Sequence, residues 1–158
     1  MKSEVHLIAG AVATLTIASF FTSTILVELF GSKEAIAMVK SLIVMPGLLI
    51  LIPAIAATGG TGFTLSKSRK GRLVENKKKR IPIIGANGVF ILVPAAILLN
   101  GWASAGSFDT KFYVVQIIEI IAGATNLAMM GLNIRDGLKL CGRLRPLKIL
   151  RPTQKLPG

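Results

Sequence analysis

Histidine, cysteine, tryptophan and tyrosine each occur once in this chain, and acidic residues number only seven. One cysteine, Cys141, cannot close an intramolecular disulfide. One cysteine and one histidine cannot supply the four ligands of a structural zinc site. The c-type heme attachment motif needs two cysteines and is absent. No serine–histidine–acid set has supporting residues, and no helix carries paired carboxylates, so hydrolytic catalysis has little to build on. The glycine-rich stretch Thr58-Gly59-Gly60-Thr61-Gly62 lacks the Gly-Lys-Ser/Thr ending of a phosphate-binding loop. Enzymatic activity is not the expectation.

What the chain has instead is hydrocarbon. Hydrophobic residues make up 52% of it and charged residues only 16%. A bilayer core needs about 20 apolar residues per helix, and four runs meet that length. Leu7 to Val27 carries no charge. Ala35 to Thr58 carries only Lys40, Ile81 to Ala103 carries none, and Phe112 to Ile134 carries only Glu119. The runs are continuous rather than alternating, which excludes barrel strands. The first is longer than the apolar core of a signal peptide and reads as a retained helix. The expected fold is an all-α integral membrane protein, a four-transmembrane-helix bundle. Its domain covers 1–137, with helices at about 6–30, 35–58, 81–103 and 112–134 and a basic loop at 66–80. A basic tail covers 138–158.

Charge sets the expected orientation. The loop after the second helix and the C-terminal tail together hold fifteen Lys and Arg, against three on the other side. The positive-inside rule then places loop, tail and both termini in the cytoplasm. A multi-pass protein of a bacterial inner membrane fits this pattern. The basic loop lacks interleaved aromatics and a nucleic-acid-binding fold, so anionic lipid headgroups are its expected partners and nucleic acid is not. Cys141, on the cytoplasmic side, is expected to stay a reduced thiol.

Polar residues within the apolar runs are the candidate functional groups, because each must point into the bundle. On the fourth helix Gln116, Glu119, Gly123, Asn126, Met130 and Asn133 share one face at helical period. Glu119 lies seven residues past Phe112, about 10 Å below the outer surface. Lys40 enters the second helix from that same side and is the expected partner of Glu119. Asn87 lies inside the third helix. Pro46 and Pro53 are expected to kink the second helix, Pro94 lies inside the third, and Thr58 to Gly62 is expected to form a flexible turn.

His6 ends an i+4 row of small and hydroxyl residues, Gly10, Thr14, Ala18 and Thr22, on the first helix. Such a row packs closely against a neighbour or receives a flat ligand. Histidine is the usual axial ligand of heme, and nearby basic residues could pair with propionates. In helix count, basic inner loops and a histidine at a helix end, the chain resembles small four-helix b-type cytochromes of membranes. That resemblance implies heme b on His6, with Gly10, Thr14, Asn126 and Met130 around it. With one histidine per chain, ligation by two histidines requires a homodimer or higher oligomer. A non-catalytic membrane subunit is the first alternative. A proton-coupled transporter using Glu119 is the second.

Overall fold

In hydrocarbon a backbone N–H or C=O has no water to bind, so an apolar segment satisfies its own groups as helix. The computed structural model describes residues 2–67 and 71–140, and among these all regular structure is helical. Six helices form four rods. The first rod is α1 (Lys2–Phe30); the second joins α2 (Lys33–Leu42) to α3 (Leu48–Lys67); the third joins α4 (Arg72–Asn87) to α5 (Val93–Ser104); the fourth is α6 (Thr110–Leu140). The stretches Glu4–Phe30, Lys33–Leu65, Arg72–Ser104 and Thr110–Leu140 are each long and apolar enough to cross a membrane. At about 1.5 Å per residue even the shortest exceeds a hydrocarbon core.

Short connections fold the rods antiparallel in chain order. α1 lies against α3 and α6, α2 against α5, and α4 against both α3 and α6, which closes the ring. At one end, called here the turn end, Ser32 caps α2 by accepting from the Ala35 N–H at 3.3 Å. Asp109 likewise accepts from the Phe112 N–H at 3.1 Å and starts α6. Gly106, with φ of +71°, makes the reversal between α5 and α6 that a side chain would strain. The opposite, basic end holds His6, Arg80 and Asp136.

Two rods depart from regular helix midway. In the second, Ile43–Gly47 is a wide turn in which Met45 leaves helical geometry (φ −139°, ψ 111°) ahead of Pro46. In the third, Gly88–Leu92 widens just before Pro94, which has no N–H to give to the preceding turn. The expected kink at Pro53 is absent as a break, since that residue lies inside α3.

The structure corrects the expected boundaries at the basic end. The second rod does not stop at Thr58; helix continues through Lys67. The hydroxyls of Thr58 and Thr61 donate to the carbonyls of Ala54 and Ala57, four residues back, so these threonines are satisfied within helical geometry. The glycine run is therefore helix and not a flexible turn. The third rod begins at Arg72 rather than Ile81, so most of the expected loop at 66–80 is the first part of α4. The fourth rod runs past Ile134 to Leu140. Arg69, Lys70, Cys141 and most of the expected tail lie outside the described residues.

Two apolar clusters fill the bundle. Ala13, Ile17, Leu51, Ala54, Ile84 and Met130 pack nearer the basic end. Ile36, Leu99, Ala103 and Phe112 pack at the turn end, where Phe108 meets Phe112 edge-on at 4.9 Å. Large apolar side chains also point outward along every rod, among them Leu15, Leu49, Phe90 and Ile121. Such an outward apolar surface is the kind that membrane-spanning helices present.

Candidate functional site

Between the two apolar clusters lies a layer where polar side chains turn inward. α6 supplies most of it, because its face of Gln116, Gly123, Asn126 and Met130 is buried, with Glu119 and Asn133 at its margins. α2 brings Lys40, which is wholly buried, and its ammonium donates to Glu119 Oε2 at 2.5 Å. Gln116 Nε2 donates to the same oxygen at 3.0 Å. A charge inside a bundle is tolerable only when paired and hydrogen-bonded, and this pair is both.

Deeper in, Asn87 and Asn126 clasp the third and fourth rods. Asn87 Nδ2 donates to Asn126 Oδ1 at 2.8 Å and to the Ala122 carbonyl at 2.9 Å. Asn126 Nδ2 donates back to the Ile84 carbonyl at 3.3 Å. Asn126 is fully buried. Each such bond between membrane helices contributes about 0.6 kcal/mol on average, so the clasp fixes register more than it stabilises.

A cavity of about 270 Å³ opens beside this layer, walled by all four rods. Ile43, Gly88, Val89 and Leu92 from the two wide turns line it, so the departures from regular helix make the space. Phe20 and Phe21 of α1 form part of an otherwise apolar wall. Glu119, Thr24 and Asn126 are its polar members, and Glu119 is its one ionisable residue. The arrangement offers a small apolar ligand a pocket with a single carboxylate on its rim. That carboxylate already has a cation behind it.

Compared with protein-family models, curated proteins and solved structures, the chain matches none.

His6 lies apart from the cavity. Its Nδ1 is 3.2 Å from the Thr58 carbonyl and 3.1 Å from Thr61 Oγ1. A carbonyl only accepts, so Nδ1 carries the proton and Nε2 is the basic nitrogen of the neutral ring. A side chain on Gly62 would begin 3.0 Å from the His6 ring, and one on Gly10 would begin 3.7 Å from Thr58. The row on α1 is thus seated, at its basic end, on the glycine-rich part of α3. Close packing against a neighbouring helix is one of the two roles expected of this row, and its basic end fills that role. Thr14 turns its hydroxyl to the Gly10 carbonyl at 2.7 Å, and Met130 sits in the apolar cluster. Of His6, Gly10, Thr14, Asn126 and Met130, Asn126 alone lines the cavity. Among the described residues no group of three His, Cys, Asp or Glu side chains could hold a metal ion.

A second polar cluster closes the basic end, and the sequence reading missed its centre. Asp136, 1% exposed, accepts from Arg80 at 2.7 Å and from Arg135 at 3.2 Å, while Arg80 also reaches Asn133 at 3.4 Å. Asp136 follows Asn133 by three residues, the one signal that it continues the buried face. It ties the start of the third rod to the end of the fourth. Glu28, in the last turn of α1, is a second residue outside the expected set, and it lies within electrostatic range of Lys40 and Glu119.

Proposed function

We propose that this chain is a proton-coupled membrane carrier for a small apolar molecule, with the Lys40–Glu119 pair as its charged element. One observation carries the reading. Glu119 is at once the ionisable group on the cavity wall and the partner of a wholly buried lysine. An ionisable group at such depth is costly and so marks a functional candidate, and this one stands where occupancy of the cavity and its own charge affect each other. In this reading the four rods cross the bilayer, with the basic end in the cytoplasm and the Glu119 layer near the outer side. A bacterial inner membrane suits that placement.

Flux through reconstituted vesicles tests it. Wild-type protein in liposomes holding a pH-sensitive dye carries protons when a potassium diffusion potential is applied. Glu119→Gln reduces that flux to the level of empty vesicles. An unchanged rate makes the pair a structural tie and ends the transport reading.

Heme b on His6 is the second reading. It is favoured by the hydrogen bond from Nδ1 to a backbone carbonyl, which is how ligating histidines are commonly oriented with Nε2 free for the metal. Against it stands the close seating of the ring on Gly62. An absorption spectrum of protein expressed with excess heme decides: a Soret band lost in His6→Ala supports ligation, and colourless protein removes it.

A further inference from the structure

The cavity is open on one flank. Among the described residues that line it, Ile52, Ala56 and Val89 are the exposed ones, Ile52 by 51% and Val89 by 60%. The first two belong to α3 and the third to the wide turn Gly88–Leu92, so all three stand where the second rod passes the third. On the walls supplied by the first and fourth rods, Ile17, Thr24 and Asn126 are exposed by 4% or less. A residue that lines a cavity and also faces outward stands at its mouth. The packing of the rods places the mouth there. The second and third rods meet near the turn end, where α2 and Ile43–Gly47 lie against α5, and again at the basic end, where α3 lies against α4. No comparable packing joins α3 to Gly88–Leu92 among the described residues. Small residues leave the gap unfilled: Ala56 on one side and Gly85 on the other, where an added Cβ would meet nothing within 4 Å. Ile52 and Val89 sit near the middle of the apolar stretches Lys33–Leu65 and Arg72–Ser104. In the membrane placement proposed above, hydrocarbon rather than water stands outside such a mouth.

Volume and charge limit what can enter. At about 270 Å³ the space exceeds the ~150 Å³ apolar cavity that takes up benzene and falls short of pockets for drug-sized molecules, roughly 300–1,000 Å³. It admits a single ring or a short chain and not a whole phospholipid. Glu119 is already paired with Lys40, so the wall offers an ionic ligand no unmatched charge, and a charge taken out of water needs one. We propose that the cavity is filled from the bilayer through this flank, and that its ligand is a compact neutral lipophile dissolved in the membrane. The inference rests on the carrier reading for its purpose and names the class of molecule carried, but the entry route is measured without any transport.

Photolabelling of the full chain in liposomes tests it. The probe is a trifluoromethyl iodophenyl diazirine, a neutral aromatic that partitions into bilayers, and its adducts are located by mass spectrometry. Wild-type protein is labelled at Ile17 and Thr24 inside as well as at Ile121 outside. Ile52→Trp and Val89→Trp each set an indole at the mouth, at an exposed position with room for it. Both lose the inner adducts and keep those at Ile121, while Val89→Ala keeps both sets. Wild-type labelling of Ile121 without Ile17 or Thr24 overturns the proposal. So do inner adducts that survive both tryptophan variants, or inner adducts from a charged, membrane-impermeant diazirine, which would show entry from water. Should a tryptophan variant fail to incorporate, the wild-type labelling and the impermeant probe still decide. Inner adducts governed by the mouth, together with normal proton flux in E119Q, end the carrier reading and leave the lateral entry standing. Flux lost in E119Q without inner adducts removes the lateral entry alone.

Discussion

Lys40 shows most plainly what single residues contribute. Its side chain has no exposure to solvent, and its ammonium reaches Glu119. Removing either partner leaves the other charge buried and alone, at a cost on the order of 3–5 kcal/mol. Replacing both together leaves no charge to strand. Lys40→Met and Glu119→Leu are each expected to lose stability by about that amount. The double variant should be more stable than either, as measured by unfolding in mixed micelles. Equal losses in all three would show that the pair contributes nothing beyond packing. This pairing was legible in the sequence, because counting residues from the helix ends put Lys40 and Glu119 on one side of the bilayer. Glu28 and Asp136 were not. Depth is a property of one helix, whereas meeting across helices depends on how each is rotated, and only the assembled bundle specifies that.

Among the elements, the two interrupted rods matter most. Regular helices in their place would close on each other, and the wide turns at Ile43–Gly47 and Gly88–Leu92 hold the cavity open. Pro46 announced the irregularity in the second rod, that of the third was not anticipated, and Pro53 sits in α3 without a break. Proline identity alone therefore did not locate the space. The rod ends at the basic side misled for a different reason. Glycines, threonines and a run of lysines read as loop by the habits of water-soluble chains. In this bundle the threonine hydroxyls bond within the helix, and Arg80 is drawn onto Asp136, so the helices extend. Gly85 offers a direct test of the cavity. It lines the space, and a side chain there would meet nothing within 4 Å at its first carbon. Gly85→Leu should fill the pocket without disturbing its neighbours and should raise helix propensity, since glycine costs about 1 kcal/mol relative to good helix formers. The expected result is a vesicle flux reduced as far as in Glu119→Gln, with thermal stability equal to or above wild type. Retained flux would place the pathway elsewhere.

Seen whole, the molecule is a ring of four rods, apolar on the outside and polar in a band within, with most of its cationic residues gathered at one end. That gathering is uneven in kind. Arg80 and Arg135 are engaged with Asp136, whereas Arg72, Lys78 and Lys79 are exposed on α4. The engaged cations hold the third and fourth rods together; under the proposed membrane placement the exposed ones would face anionic headgroups, where a Lys or Arg adds about 1 kcal/mol of attraction. Orientation during insertion responds to Lys and Arg close to the helix ends, whether or not they later find partners. The expected topology therefore has the basic end in the cytoplasm. A fluorescent-protein fusion at the C-terminus should glow, and a phosphatase inserted between Ser104 and Thr110 should be active. Neutralising Arg72, Lys77, Lys78 and Lys79 to glutamine while adding lysines beside Lys33 and Lys111 should reverse a substantial fraction of molecules, exchanging the two reporter signals. If the wild-type C-terminal fusion is dark and the phosphatase silent, the cations are not what orients this bundle. The Glu119 layer then belongs to the other face of the membrane, and the direction of any proton movement through it reverses with it.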